Sequence, residues 1–81
     1  MMKLTWDREH NIADIAIVEG DLTGRGHVCW EASEDLVFDL DENGAVLSIE
    51  VLDPARLLAG VTTPEEALSR VLGSLATLRA S

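Results

Sequence analysis

Asn43-Gly44 lies between two runs of period two, and that arrangement narrows the fold more than any other feature of the chain. Leu36, Phe38 and Leu40 alternate with Val37, Asp39 and Asp41 before it; Leu47, Ile49 and Val51 alternate with Val46, Ser48 and Glu50 after it. Asn-Gly between such runs signals an antiparallel hairpin, because a type I′ turn needs positive φ at both central residues. With Asn43 and Gly44 in those places, Glu42 faces Ala45. The ladder then pairs Leu40 with Leu47, Phe38 with Ile49 and Leu36 with Val51. Every pair on that face is apolar, so turn chemistry and hydrophobic pattern specify one register.

Three further strands are expected from the same period. Met2, Leu4 and Trp6 alternate with Lys3, Thr5 and Asp7. After the polar turn Asp7-Arg8-Glu9-His10-Asn11, Ala13, Ile15 and Ile17 alternate with Asp14, Ala16 and Val18. A loop punctuated by Gly20, Gly24 and Gly26 leads to His27 through Ala32, whose apolar side is Val28, Trp30 and Ala32. Asp53-Pro54 ends the sheet, and a short helical turn over about 55–59 is stopped by Gly60. Thr63-Pro64-Glu65-Glu66 reads as a helix start, with Thr63 at the N-cap and Glu66 at the capping-box position. Leu68, Val71, Leu72, Leu75 and Leu78 then recur at helical spacing along a helix of about 64–79, with Arg79 near its C-terminal dipole. The expected fold is α+β, one domain over 1–81. An antiparallel sheet of four to five strands spans about 2–52, with the C-terminal helix packed on one face. Both tryptophans, Trp6 and Trp30, are expected in the core.

An 81-residue chain buries only roughly 60% of its unfolded surface and is marginal without help, usually disulfides, a structural metal or oligomerisation. Its single cysteine, Cys29, excludes an intrachain disulfide and fits a reducing compartment. That leaves a metal, a partner subunit or an unaided core, and because a domain this small benefits from oligomerisation a homodimer is expected. The net charge of −9, from 15 acidic and 6 basic residues, repels phosphate backbones and anionic bilayers. Nucleic acid and membrane are therefore excluded as partners, and a basic protein is favoured. The N-terminal residues carry no apolar h-region and no run approaches spanning length, so a cytoplasmic location is expected.

Three constellations invite a chemical reading. Asp39-x-Asp41-x-Asn43-Gly44, five residues and then Glu50 satisfy the EF-hand expression in full. An EF-hand needs flanking helices that bring its first and twelfth positions to one ion. In the hairpin register Glu50 lies opposite Val37, four positions along the ladder from Asp41, so those carboxylates stand roughly 13 Å apart. Calcium is not expected. His27, Cys29 and Glu31 share one strand face and are all metal-ligand types, but same-face neighbours about 6.6–7 Å apart do not converge on one zinc unaided. A bulge at Gly26, or His10 from another loop, is what would complete such a site. Asp14, Glu31, Asp39, Asp41 and Glu50 share the face opposite the helix, yet general acid–base work needs a concave, partly dry site, and no pocket signature is present. No cofactor and no catalytic residue is expected.

From Met2 to about Ala55 the chain resembles a family of small prokaryotic proteins, the domain of unknown function 2283. Met2-Lys3-Leu4-Thr5-Trp6-Asp7 fits its opening Met-Lys-x-x-Tyr-Asp strand with Trp for Tyr, and Glu9, Asn11, Ile15 and Gly20 follow its next strand. The most specific match is Asp39-Leu40-Asp41-Glu42-Asn43-Gly44-Ala45-Val46-Leu47-Ser48-Ile49-Glu50-Val51-Leu52-Asp53, against Asp-x-Asp-x-x-Gly-x-x-x-x-Ile-Glu-Ile-Leu-Asp. The resemblance brings no activity and no catalytic residues. Through members that look like the antitoxin half of toxin–antitoxin pairs, it implies an acidic surface masking a small basic ribonuclease-like partner. The leading expectation is a non-catalytic protein-interaction module, antitoxin-like toward a basic partner through its acidic sheet face or its C-terminal helix, with Asp39, Asp41 and Glu50 at the interface and Trp30 anchoring it where that ring is partly exposed. The alternatives are a small metal-binding or hydrolytic domain using His27, Cys29 and Glu31, and a self-associating domain without chemistry.

Overall fold

The computed structural model describes residues 2–17 and 27–80. Strands β1 (Lys3–Asp7), β2 (Ile12–Ala16), β3 (His27–Ser33), β4 (Leu36–Asp41) and β5 (Val46–Leu52) precede the single helical turn α1 (Pro54–Leu57) and the long helix α2 (Pro64–Ala80). The strands form one five-stranded sheet in the order β1-β2-β5-β4-β3, antiparallel at every pairing. This is the expected α+β architecture. Val18 and the glycine-punctuated loop lie outside the described residues, as do the side chains of His27, Leu78 and Arg79.

The β4–β5 hairpin occupies the middle of the sheet, since β5 also pairs with β2. Phe38 lies opposite Ile49, Leu36 opposite Val51 and Val37 opposite Glu50, as the pattern specifies. The turn itself differs. Only Gly44 has positive φ (85°), while Asn43 does not. Gly44 N–H donates to Asp41 O (3.0 Å) and Asp41 N–H to Ala45 O (2.8 Å), which describes a type I turn followed by a left-handed glycine. The cause is Asp41: its Oδ1 accepts from Asn43 N–H (2.8 Å) and Ala45 N–H (2.9 Å), an Asx arrangement that favours Asp at the first turn position. The three-residue loop shifts the ladder by one, so Leu40 meets Val46 rather than Leu47. A bulge between Asp39 and Leu40 takes up Leu47 as the extra residue and restores Asp39 opposite Ser48. Without that bulge the one-residue slip would have turned the core face of β5 outward.

Ala13, Ile15, Leu36, Phe38, Ile49 and Val51 of the sheet pack with Leu58, Ala67 and Val71 of the helical segment in one core. Val46 joins its margin, a correction to its expected place on the outer face. Helix α2 begins as its sequence requires: Thr63 Oγ1 accepts from Glu66 N–H (3.2 Å). The side chain of Glu66 accepts from Thr62 Oγ1 (3.5 Å) instead of closing the capping box. Its buried stripe is Ala67 and Val71 flanked by Leu68 and Leu75, with Leu72 53% exposed. The expected stripe is therefore rotated, because Ala67 is small enough to let the helix approach the sheet. Helix α2 packs chiefly across β1 and β2. That placement leaves the β3 end of the same face open. Trp6 is half-buried against the core with the Arg8 guanidinium 4.4 Å from its ring centre. Trp30, expected in the core, is 52% exposed instead, its ring tilted against Phe38 at 5.4 Å. Among the described residues no helix is long and apolar enough to cross a membrane.

Candidate functional site

The face of the sheet opposite α2 carries the acids. Period-two alternation from β2, β5 and β4 delivers them: Asp14 lies directly opposite Glu50, and Asp39 stands opposite Ser48 on the neighbouring rung. Burial and the nearby charges of Glu50 and Asp39 raise the Asp14 carboxyl above its ordinary range. Among the described residues none of Asp14, Asp39 and Glu50 is ion-paired with a cation. Lys3, opposite Ala16 on the edge strand β1, is the basic residue on this side of β1.

Asp39 is the organising carboxylate. Its Oδ2 accepts from Ser48 Oγ (2.8 Å) and its Oδ1 from Cys29 Sγ (3.1 Å), tying β4 to both neighbours. Ser48 is nearly fully buried, and this bond satisfies it. The same contact pushes the Cys29 thiol up, reinforced by the charges of Asp39, Glu50 and Glu31. An exposed thiol held protonated is a poor nucleophile and a poor zinc ligand, since both roles require the thiolate. Among the described residues no three His, Cys, Asp or Glu groups converge on an ion position. His10 cannot complete the set. It sits in the β1–β2 turn, its Nδ1 2.8 Å from Asp7 Oδ2, and this pairing lowers the Asp7 carboxyl. Three strand spacings, roughly 14 Å, separate β2 from β3. Asp41 is held by its turn, and Glu50 lies opposite Val37, so the EF-hand residues stay spread along a ladder.

A second cluster was invisible to spacing arguments. At the far end of the sheet Asn11 and Asp53 both adopt left-handed backbone (φ 53° and 60°). Asn11 Nδ2 donates to Asp53 Oδ1 (3.0 Å), and Asp53 N–H to Asn11 O (3.2 Å). Arg56 Nε donates to Asp53 Oδ2 (3.4 Å), and its Nη2 donates to Asp35 Oδ2. These pairs brace the β1–β2 and β3–β4 turns against α1. The signal available in sequence was chemical: Asn and Asp tolerate positive φ better than other non-glycine residues. An open depression of about 300 Å³ lined by Ser33, Glu34, Asp35, Arg56 and Ser74 adjoins it, with its one cation already engaged by carboxylates.

Searches of curated proteins and of solved structures gave no match. A family model, described as "Protein of unknown function (DUF2283)", matches residues 3–53. That span runs from the first residue of β1 through Asp53, taking in all five strands, the acidic face and the hairpin with its bulge; it stops before the helices and so leaves Arg56 of the second cluster outside. It covers well over half of the chain, and the protein belongs to this family of unknown function.

Proposed function

We propose that this protein is a non-catalytic interaction module whose acidic sheet face receives a basic protein partner. The observation that supports this reading most directly is the crowding of Asp14, Glu50 and Asp39 on the side away from α2, unrelieved by a cation among the described residues. Like charges side by side on a ladder cost stability in the free protein. A partner that supplies Lys or Arg there removes the repulsion and gains attraction, and the net charge of −9 steers it in. The resemblance to members that look like antitoxins favours a small basic enzyme as the class of partner. Using His27, Cys29 and Glu31 for metal or hydrolytic chemistry has less support, because the Cys29 thiol is held protonated.

The test is affinity capture from the native cell at low salt, comparing the wild type with the triple variant Asp14→Asn, Asp39→Asn, Glu50→Gln. A basic protein retained by the wild type, released by raised salt and lost with the folded triple variant is the expected result. Equal recovery with both baits, or no basic protein with either, would sink the proposal.

A further inference from the structure

The two edges of the sheet differ in a way the acidic face does not explain. Edge β1 is defended: Lys3, Thr5 and Asp7 alternate along it, and Arg8 covers Trp6. Edge β3 is seven residues long, and among the described residues no strand pairs with its outer side. On the helix-facing side, where α2 does not reach, it shows Val28 at 62% and Trp30 at 52% exposure, two of the four exposed large apolar side chains among the described residues. An unpaired seven-residue edge beside such a patch is a template for another strand.

We infer that β3 pairs antiparallel with β3 of a second copy of this chain, about a two-fold axis at Cys29, to make one continuous ten-stranded sheet. Three observations fix the occupant and the register. First, the regular part of β3 runs from His27 to Glu31, because the ladder slips between Glu31 and Ser33; the midpoint of that run is Cys29. Second, an axis at Cys29 sets Val28 of each copy opposite Trp30 of the other. The patch then covers itself with an aliphatic–aromatic cross-strand pair on both sides of the axis. Third, charge excludes the registers on the Glu31 side, while an axis at Val28 would leave Trp30 without its aliphatic partner. An axis at Glu31 puts two carboxylates face to face, and one at Trp30 leaves them diagonal neighbours. An axis at Cys29 separates them by roughly 13 Å, beyond the screening length of about 8–10 Å. A half-exposed tryptophan contributes on the order of 100 Å² per copy. The interface therefore falls at or below the low end of about 1,200 Å², which predicts a reversible dimer rather than an obligate one.

Sedimentation velocity between about 1 µM and 1 mM should show a monomer–dimer equilibrium. Val28→Lys and, separately, Trp30→Lys should each shift it at least tenfold toward monomer, with circular dichroism confirming that both variants fold. Register is read by crosslinking with diamide at alkaline pH, where the Cys29 thiol ionises. The wild type should yield a covalent dimer, two thiols being oxidised to one disulfide as diamide becomes its hydrazine. The double variant Cys29→Ser, Glu31→Cys should yield several-fold less. A monomer at every concentration, a dimer indifferent to both folded lysine variants, or equal crosslinking through position 31 would overturn the inference.

Discussion

Replacing Gly44, Asn43 and Asp41 one at a time separates the observed turn from the type I′ turn that Asn-Gly suggests. Gly44 has φ of 85°, and nothing lies within 4 Å of where a Cβ would stand, so Gly44→Ala costs only the left-handed backbone penalty of an L-residue. That penalty is about 1–2 kcal/mol. Asn43 has negative φ and receives its bond through its backbone N–H, which alanine keeps; Asn43→Ala should cost about 0.5 kcal/mol or less. Asp41→Ala removes the acceptor of two turn N–H groups, at 2.8 and 2.9 Å. At exposed positions, where water substitutes in part, the loss is about 1–2 kcal/mol. Urea unfolding measures all three: with a slope of about 1 kcal/mol/M, a 1.5 kcal/mol loss moves the midpoint by about 1.5 M. The expected order of cost is Gly44→Ala and Asp41→Ala well above Asn43→Ala. A type I′ turn would make Asn43→Ala as costly as Gly44→Ala, since both residues would need positive φ. Equal losses at those two positions, with Asp41→Ala neutral, would refute the account of the hairpin.

Three further substitutions probe the faces of the molecule. Val71→Ala empties a fully buried site and should cost about 2 kcal/mol, whereas Leu72→Ala, at a 53% exposed position, should fall within about 0.5 kcal/mol of the wild type by thermal or urea unfolding; the reverse order would return Leu72 to the buried stripe. Asp14→Asn should raise stability at pH 7 by a few tenths to about 1 kcal/mol, the scale of a like-charge cross-strand pair. Because the folded Asp14 binds its proton more readily than the unfolded chain, its ionisation opposes folding above its raised pKa. The advantage of the Asp14→Asn variant should therefore shrink as pH falls through that value and vanish below about 3.8, and a pH-independent difference between the two melting curves would contradict the cause assigned to the shift.

The sheet was legible because its information is periodic. Strand positions, the helix start at Thr63 and the pairs Phe38–Ile49 and Leu36–Val51 follow from alternation and capping chemistry that each residue carries locally. What escaped depends on competition between local options. Asn43-Gly44 suits a type I′ turn, but Asp41 two residues earlier offers two hydrogen bonds to a different turn, and propensity read as a dipeptide does not weigh that neighbour. Val46 reaches the core margin for the same reason, since the bulge that changes its register is invisible when Val46 and Leu47 are both apolar enough for burial, and Leu47 itself stays buried. Trp30 was misplaced by treating a large aromatic as core without knowing how far the helix extends across the sheet. Of the site, the shared face of Asp14, Asp39 and Glu50 could be read from spacing. The bonds that Asp39 makes to Ser48 and Cys29 could not, because they join residues on three strands.

That three-strand contact also bears on why the acids stay where they are. Asp39 is bonded on both oxygens, so its charge is anchored on the sheet and satisfies the buried Ser48 hydroxyl. Asp14 and Glu50 gain no such bond among the described residues, and Asp14 is the group whose ionisation is made unfavourable. A face built only for solubility would place its acids apart, on the exposed helix and turns, where they cost nothing. Here two carboxylates face each other on adjacent strands beside a third, while Glu65 and Glu66 sit separately at the start of α2, where the helix dipole stabilises them. The contrast assigns different roles to acids on the same chain. The helix acids and Asp39 support the fold, whereas the facing pair Asp14 and Glu50 reduces its stability, the cost that the proposed binding of a basic partner would relieve.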